Sequence, residues 1–527
     1  MSELEGTARL AWLHVRRDRA LLGLCALAIP ALMLASAVSL KDVYSTPEER
    51  AQYAASFASD TAVAATQGNP INLETIGGIL TFETGVWYSM FVALATLLFV
   101  NRYTRGDEEA GRLELVLAAA VGRRAPIAAA LLVAGALSVL IGALVLVALV
   151  AVGYEAEGSL GIAAWFAGLG IVFAAIAALA AQLSESKRTT TGIALAALGV
   201  AWVLRAIGDA GTDAFRWLSP IGWGQEIHPF GEERWWPLGL MAAATVTLVA
   251  GAFALLRRRD IGGGLFATRP GPAAASRGLR SATGLAVRLL RPSLIAWIAG
   301  ILGFGLVYGA ITESIEEFIA ENEQIAEIVA QAGGTSIVDS YLATAVGTLA
   351  VFGAGFAVQA ALRPRTEESA GRFEALLATA TSRQRLLGAY VAVAVVGSAL
   401  VAAAAGLGTA VGLGLATGDW GDLGRLLAAA LAYAPAMWVT AGIGILLVGA
   451  APRAAFLAWA TLAWFVVAEL LAEVLNLPHA LADLSPFAHV PEAPAAPLGA
   501  LPVLVVAAVA AALFAAGIAA FRHRDAG

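Results

Sequence analysis

Long apolar runs alternate with short charged stretches along the whole chain. A helix that crosses a bilayer needs about 20 apolar residues at a rise of roughly 1.5 Å each. Runs of that length lie near 20–40, 79–100, 125–152, 160–182, 191–207 and 237–256. A second set lies near 293–311, 340–362, 386–415, 425–450, 454–474 and 499–521. The pattern predicts an all-α polytopic membrane protein with twelve transmembrane helices, six in each half. Residues 1–256 form the first half, 257–284 a linker and 285–527 the second half.

The polar stretches repeat in the same order. An amphipathic elbow opens each half, Leu10-Ala-Trp-Leu-His-Val-Arg-Arg17 in one and Leu285-Ala-Val-Arg-Leu-Leu-Arg-Pro292 in the other. Apolar faces flanked by arginines suit helices lying in a headgroup layer. After the next span comes an outer segment. In the second half it runs from Glu313 to Gln331 with helical spacing, one face apolar and one acidic, and stops at Gly333-Gly334. Near the end of each half, Trp217-Leu-Ser-Pro220 returns as Asp483-Leu-Ser-Pro486. With six spans per half, both halves enter the membrane from the same side, so the repeats are parallel. Gly262-Gly-Gly264 and a Pro/Ala/Ser stretch mark 257–284 as a flexible linker.

Composition agrees with a membrane location: 59% of residues are hydrophobic, 14% are charged, and mean hydropathy is +0.77. Soluble domains carry roughly 25% charged residues. Charge also fixes the expected orientation. With the N-terminus inside, all 33 Lys and Arg except Lys41, Arg50, Arg205, Arg216, Arg234 and Arg425 fall on the inner side. Both termini are therefore predicted cytoplasmic. Acidic residues do the reverse, with 26 of the 39 Asp and Glu outside or near outer span ends. The net charge of −6 thus reflects a polarised molecule and gives no reason to expect nucleic acid. The single Cys25 can form no internal disulfide. Ala35-Ser36-Ala37 imitates a signal cleavage site, but the equivalent span at 293–311 predicts that the first span is kept.

The strongest functional lead is a charged segment between the second and third spans of each half. Arg105-Gly-Asp-Glu-Glu-Ala-Gly-Arg-Leu-Glu114 returns without a gap as Arg365-Thr-Glu-Glu-Ser-Ala-Gly-Arg-Phe-Glu374. It is expected to form short cytoplasmic helices presenting charge to a partner, with Gly111 and Gly371 allowing close backbone approach. Basic and acidic residues at a span end would also anchor it. Anchoring needs charge but not the order Ala-Gly-Arg-apolar-Glu, so its retention favours a pair of docking points. Within the spans, Glu83 is the clearest ionisable residue, followed by Arg205, Glu469 and Glu473 near outer ends. Glu83, with Trp87 and Tyr88, is the candidate for a substrate path, although snorkelling to the outer surface explains Glu83 equally. Trp217, Trp223, Trp235 and Trp236 read as an outer aromatic belt. Glycines such as Gly406, Gly408, Gly412 and Gly414 read as sites of close helix packing.

Catalytic signatures are missing. The two lysines, Lys41 after Leu40 and Lys187 after Ser186, fit no GxxxxGK[ST] phosphate loop. HExxH and GxSxG are absent, and the histidines are scattered. His228, in Glu226-Ile-His228-Pro, could meet a metal or substrate but reads more simply as a loop histidine. No catalytic or metal site is expected.

Glu109-Ala-Gly111-Arg-Leu-Glu114-Leu-Val-Leu resembles the E-x-G-T-L-E-x-L-L pattern after the second span of type-2 ABC exporter permeases. Its twin is Ala370-Gly371-Arg-Phe-Glu374-Ala-Leu-Leu-Ala-Thr379. The family's threonine is arginine in both copies (Arg112, Arg372), and Ser369 replaces the first acid, with Glu367 and Glu368 just upstream. The double-length plan is similar to fused permeases of exporters associated with polyketide antibiotics. The resemblance implies a plasma-membrane permease that moves a hydrophobic or amphiphilic compound outward. It implies a homodimer of a separate cytoplasmic ABC ATPase as partner, membrane lipid around the chain, and ATP and Mg bound by the ATPase, with no cofactor on this chain. The residues it marks for coupling are Arg105, Glu109, Gly111, Arg112, Glu114, Arg365, Glu368, Gly371, Arg372 and Glu374. Two other readings of the residues remain: an ion-coupled secondary transporter and a non-transporting membrane sensor or scaffold. Few carboxylates lie near the middle of a span, which weighs against the first.

Overall fold

The structure is a computed structural model that describes residues 2–57, 61–209, 211, 213–260, 262–265, 273–321, 337–379, 381–470, 472 and 477–524. Among them, eleven helices are long and apolar enough to cross a membrane. A shorter apolar helix, Leu457–Leu470, occupies the place of the fifth span of the second half. Residues 471 and 473–476, including Glu473, lie outside the described ones. The chain divides into two compact units, Met1–Gly271 and Pro272–Gly527.

In the first unit the long helices are Thr7–Val43, Ile76–Tyr103, Ala125–Ala151, Ala156–Leu183, Lys187–Asp209 and Pro237–Leu256. Ala156–Leu183 is the axis of the packing. It buries Ile162, Trp165, Phe166, Leu169 and Phe173 against the second, third and sixth of these helices. The first helix breaks its geometry at Asp18 (φ −112°, ψ 22°), so Thr7 to Arg17 turns away from the apolar stretch that follows. Asp18 holds the bend by accepting from Arg17 at 3.3 Å and Arg102 at 2.7 Å. The elbow expected at Leu10–Arg17 therefore ends at an ion-paired kink.

In the second unit the helices are Ala282–Glu321, Ile337–Ser369, Arg383–Thr417, Leu423–Ala432, Ala434–Ala450, Leu457–Leu470 and Ala500–His523. Here the expected elbow is continuous with its span, Pro292 being absorbed within one helix. The acidic outer segment continues that helix as far as Glu321, and its remainder lies outside the described residues. Ala282–Glu321 and Arg383–Thr417 touch backbone to backbone. A Cβ on Gly408 would lie 2.5 Å from the Leu302 carbonyl, and one on Gly305 would lie 2.9 Å from the Thr409 nitrogen. Of the glycines expected to serve helix packing, Gly406, Gly408 and Gly412 face a neighbouring helix, whereas Gly414 faces the Trp420 ring in the following loop.

Apolar side chains remain exposed along the helices, among them Leu24, Leu27, Val147, Val246, Leu501 and Leu504. Water would penalise such stripes, whereas hydrocarbon would not. All the long segments are helical, which satisfies each backbone group within its own segment. Helical content, span length and outward apolarity together make this a multi-pass membrane protein.

The loop repeat also has a shared structural role. Ser219 and Ser485 are both fully buried. Ser219 Oγ accepts from the Ile221 and Gly222 N–H groups, and Ser485 Oγ accepts from the Phe487 N–H, each starting a short helical turn. The stretch expected to be a flexible linker behaves differently. Arg257–Asp260 and Gly262–Leu265 do not hang free: Arg259 is buried, and the Leu265 N–H donates to the Gln182 carbonyl at 3.1 Å. Its glycines seat this stretch on the first unit.

Candidate functional site: the duplicated charged segment

Both copies of the segment fold as helix, left-handed glycine, helix. In the first, Arg105–Glu109 is followed by Gly111 at φ 68° and then Arg112–Leu117. In the second, Ile337–Ser369 runs on to Gly371 at φ 69° and then Arg372–Leu377. The Gly111 N–H donates to the Glu108 carbonyl at 3.0 Å, and that of Gly371 to Glu368 at 2.9 Å. A Cβ on either glycine would meet nothing within 4 Å. Close approach within the chain is therefore not why glycine stands there. The positive φ is the reason, since other L residues resist it.

Most of the segment's charge is satisfied internally. Arg105 is fully buried, 3.1 Å from Glu108, and donates to the carbonyls of Ala181 (2.5 Å) and Gly263 (2.9 Å). It is not presented to a partner, contrary to expectation. Arg112 donates to Asp107 at 2.7 Å, and its twin Arg372 to Glu367 at 2.6 Å. Asp107 also receives Arg17 of the elbow at 3.0 Å, and Glu367 receives Arg363 at 2.6 Å. Arg365 pairs with Glu368 at 2.9 Å, repeating Arg105–Glu108. The side chains of these four carboxylates are at most 10% exposed. Arg105–Glu108 is buried on both sides, and removing one member of such a pair costs about 3–5 kcal/mol; the pairs whose arginine is solvated are worth less. The pairs make the segment rigid, and Glu368 belongs to that framework rather than to an outward face.

What remains at the surface is the second short helix. The carboxylates of Glu114 and Glu374 are exposed and have no ionic or hydrogen-bonding partner among the described residues. Leu115 beside Glu114 is 77% exposed. Arg112 and Arg372 keep 54% and 58% of their side chains in contact with the surroundings. The pairing with Glu367 holds the Arg372 guanidinium above its ordinary pKa. Glu109 acts locally, its Oε1 accepting from the Lys187 N–H at 2.6 Å and so tying down the start of the fifth helix. The Ser369 hydroxyl donates to the Thr366 carbonyl.

Glu83, Trp87 and Tyr88 lie on Ile76–Tyr103, the helix that precedes the first segment, roughly 22–30 Å from its Tyr103 end at about 1.5 Å per residue. Gln67 joins the first two, accepting from Trp87 Nε1 at 3.1 Å and donating to Glu83 at 3.4 Å. Tyr53 donates its hydroxyl to Glu83. Tyr88 faces elsewhere, its hydroxyl 2.9 Å from Ser36 Oγ. The three do not line one path. The adjoining cavity, bordered by Gln67, Asn69, Trp165 and Gln225, is about 20 Å³, room for a water molecule.

Three features are not legible in the sequence. Arg205 is visible there as a charge in an apolar run, but its partners are not. It is fully buried, 3.2 Å from Asp209, and donates to the Thr66 carbonyl at 3.2 Å. Arg216 continues the network to Asp209 (2.6 Å) and Glu226 (2.9 Å). His228 Nε2 sits 3.5 Å from Glu226, and its hydrogen bond, with that of Arg216, holds the Glu226 carboxyl below its ordinary pKa. His228 thus serves a loop network, and among the described residues no group of three or more His, Cys, Asp or Glu could hold a metal. Trp217 stacks on Trp236 at 5.1 Å next to this loop. Arg259 and Arg524, the other two features, both reach the duplicated segment.

Residues 279–522 match the profile of a family described as "Multidrug efflux system permease Rv1217c, C-terminal domain". The whole chain is similar to the multidrug efflux system permease protein Rv1217c of Mycobacterium tuberculosis (strain ATCC 25618 / H37Rv). The two are 37% identical over 527 residues, 99% of this chain and 96% of that relative.

Proposed function

Since the chain belongs to the family of the multidrug efflux permease Rv1217c, we propose that it is the membrane permease of an ATP-driven exporter. Its cargo is a hydrophobic or amphiphilic compound, and two copies of a separate cytoplasmic ATPase drive it, one at each duplicated segment. The observation that carries this reading is the pair of exposed carboxylates, Glu114 and Glu374. Each follows a left-handed glycine on a short helix whose first residue, Arg112 or Arg372, is ion-paired to a buried carboxylate. A rigid short helix with an unpartnered acid and an exposed apolar neighbour suits a partner that pushes. A merely anchored span end needs no such rigidity.

In this reading the chain has twelve spans as two parallel repeats, sits in the plasma membrane with both termini in the cytoplasm, and carries no nucleotide itself. ATPase closure presses on residues 105–124 and 365–384, and the permease alternates between inward- and outward-facing states. Cargo must bind the two states differently for ATP hydrolysis to do transport work. The test is ethidium efflux and ethidium-stimulated ATP hydrolysis by the complex. Glu114→Lys with Glu374→Lys is expected to abolish both while the permease keeps its yield and gel-filtration profile. Normal coupling in that double variant would remove the docking assignment. Efflux that follows the proton gradient and survives ATP depletion would replace it with a secondary carrier.

A further inference from the structure

The last long helix of each unit ends in a stretch that grips the duplicated segment, and the grip is built from the same residues twice. In the first unit Arg259 lies three residues beyond Pro237–Leu256 and is 9% exposed. Its guanidinium straddles Glu108, with Nη1 donating to Oε1 at 2.7 Å and Nη2 to Oε2 at 3.1 Å. Nε donates to Gln182 at 2.8 Å on the fourth helix. Arg123, at the foot of the third helix, donates to the Arg259 carbonyl at 2.5 Å. In the second unit Arg524 follows Ala500–His523 directly. Its Nη2 donates to Glu368, and its Nη1 to the Val448 carbonyl at 2.9 Å. Arg383, at the foot of the third helix there, donates to the Arg524 carbonyl at 2.5 Å.

Glu108 and Glu368 are the same position of the repeat, as are Arg123 and Arg383. Arg259 and Arg524 fall outside the repeated motif, yet each places its guanidinium on the glutamate and its carbonyl on the arginine. Two-point recognition of a buried carboxylate, as Arg259 makes on Glu108, fixes orientation as well as distance, whereas Arg524 meets Glu368 through Nη2 alone and spends Nη1 on the Val448 carbonyl. Charge anchoring alone would not produce the same three-part junction in both units.

We propose that Arg259 and Arg524 are transmission residues that make the tail of the last helix and the duplicated segment move as one body. This rests on the export reading above. Force delivered at Glu114 or Glu374 then reaches the last helix of each unit directly, in addition to the second and third helices that flank the segment in sequence. Arg257–Asp260 and Gly262–Gly264 are then a mechanical part, with Gly262 N–H on Glu108 at 2.6 Å and the Gly263 carbonyl on Arg105 completing the grip.

Two measurements on the full chain test this. In the complex, Arg259→Ala with Arg524→Ala is expected to lower maximal ethidium efflux roughly tenfold, the size typical of losing coupling contacts. The half-saturating ethidium concentration and the amount of bound ATPase should stay unchanged, and Arg→Lys at both sites should restore part of the rate. Wild-type efflux in the alanine pair would overturn the proposal. The second measurement needs only the purified chain in nanodiscs. Nitroxides at Ala110→Cys and Arg258→Cys, in a Cys25→Ser background, should give a single narrow distance that Arg259→Ala broadens. A broad distribution with Arg259 present, or an equally narrow one without it, would overturn the proposal. Absence of ATP-dependent efflux in the wild type would instead count against the export reading, and the nitroxide result would still stand.

Discussion

At Gly111 and Gly371, one residue type is required for a reason the sequence could suggest but not specify. A repeated Ala-Gly-Arg marks both positions, and close approach and backbone freedom are equally good reasons for glycine there. The structure separates them: φ is 68° and 69°, and no atom lies within 4 Å of a built Cβ. The cost of a side chain is then conformational, roughly 1–2 kcal/mol for an L residue in the left-handed region. Gly111→Ala and Gly371→Ala should each lower the thermal midpoint by about 2–4 °C. Asparagine, though larger, should be tolerated better than alanine because it enters that region more readily. A midpoint that falls with side-chain volume would return close approach as the cause. Arg105 teaches the same lesson. Its charge was legible, but burial was not, because its partners Ala181 and Gly263 lie 76 and 158 residues away.

At the level of elements, apolar periodicity located eleven of the twelve expected spans among the described residues, because length and hydropathy are local properties. It could not say that Leu423–Ala432 and Ala434–Ala450 would be separate helices, or that the second elbow would merge with its span. The glycine-rich run at 406–414 was legible as packing, and its partner is now clear. Gly408 and Gly412 face the Leu302 and Leu306 carbonyls of Ala282–Glu321. Dispersion between closely approaching backbones is a main source of helix association in lipid. Gly408→Val is expected to destabilise the unit by about 1–3 kcal/mol through overpacking. Gly388→Ala on the same helix, where a Cβ meets nothing within 4 Å, should be neutral or slightly stabilising. Thermal unfolding of the two variants in detergent checks the contrast, and an equal loss in both would contradict it. The stretch after Leu256 shows where composition misleads. Gly262-Gly-Gly264 reads as a flexible spacer, but Gly262 and Gly263 supply an N–H to Glu108 and a carbonyl to Arg105.

For the whole molecule, the duplication was the most legible property and the one on which the proposed function rests. Each unit builds its own core around buried helices. Each also fixes its charged segment with the same pairs, Arg112–Asp107 and Arg372–Glu367, Arg105–Glu108 and Arg365–Glu368. Those pairings were not readable from the repeat alone, because charges three to five residues apart can either pair or point outward. The burial of their carboxylates narrows the proposed docking face to Glu114, Glu374 and their neighbours. The most direct test of that face is site-specific photo-crosslinking from Leu115 and Ala375 in the full chain, expressed in cells with the proposed ATPase partner. The account predicts that both positions capture the same ATPase subunit. Capture from one position only, or from neither, would contradict it.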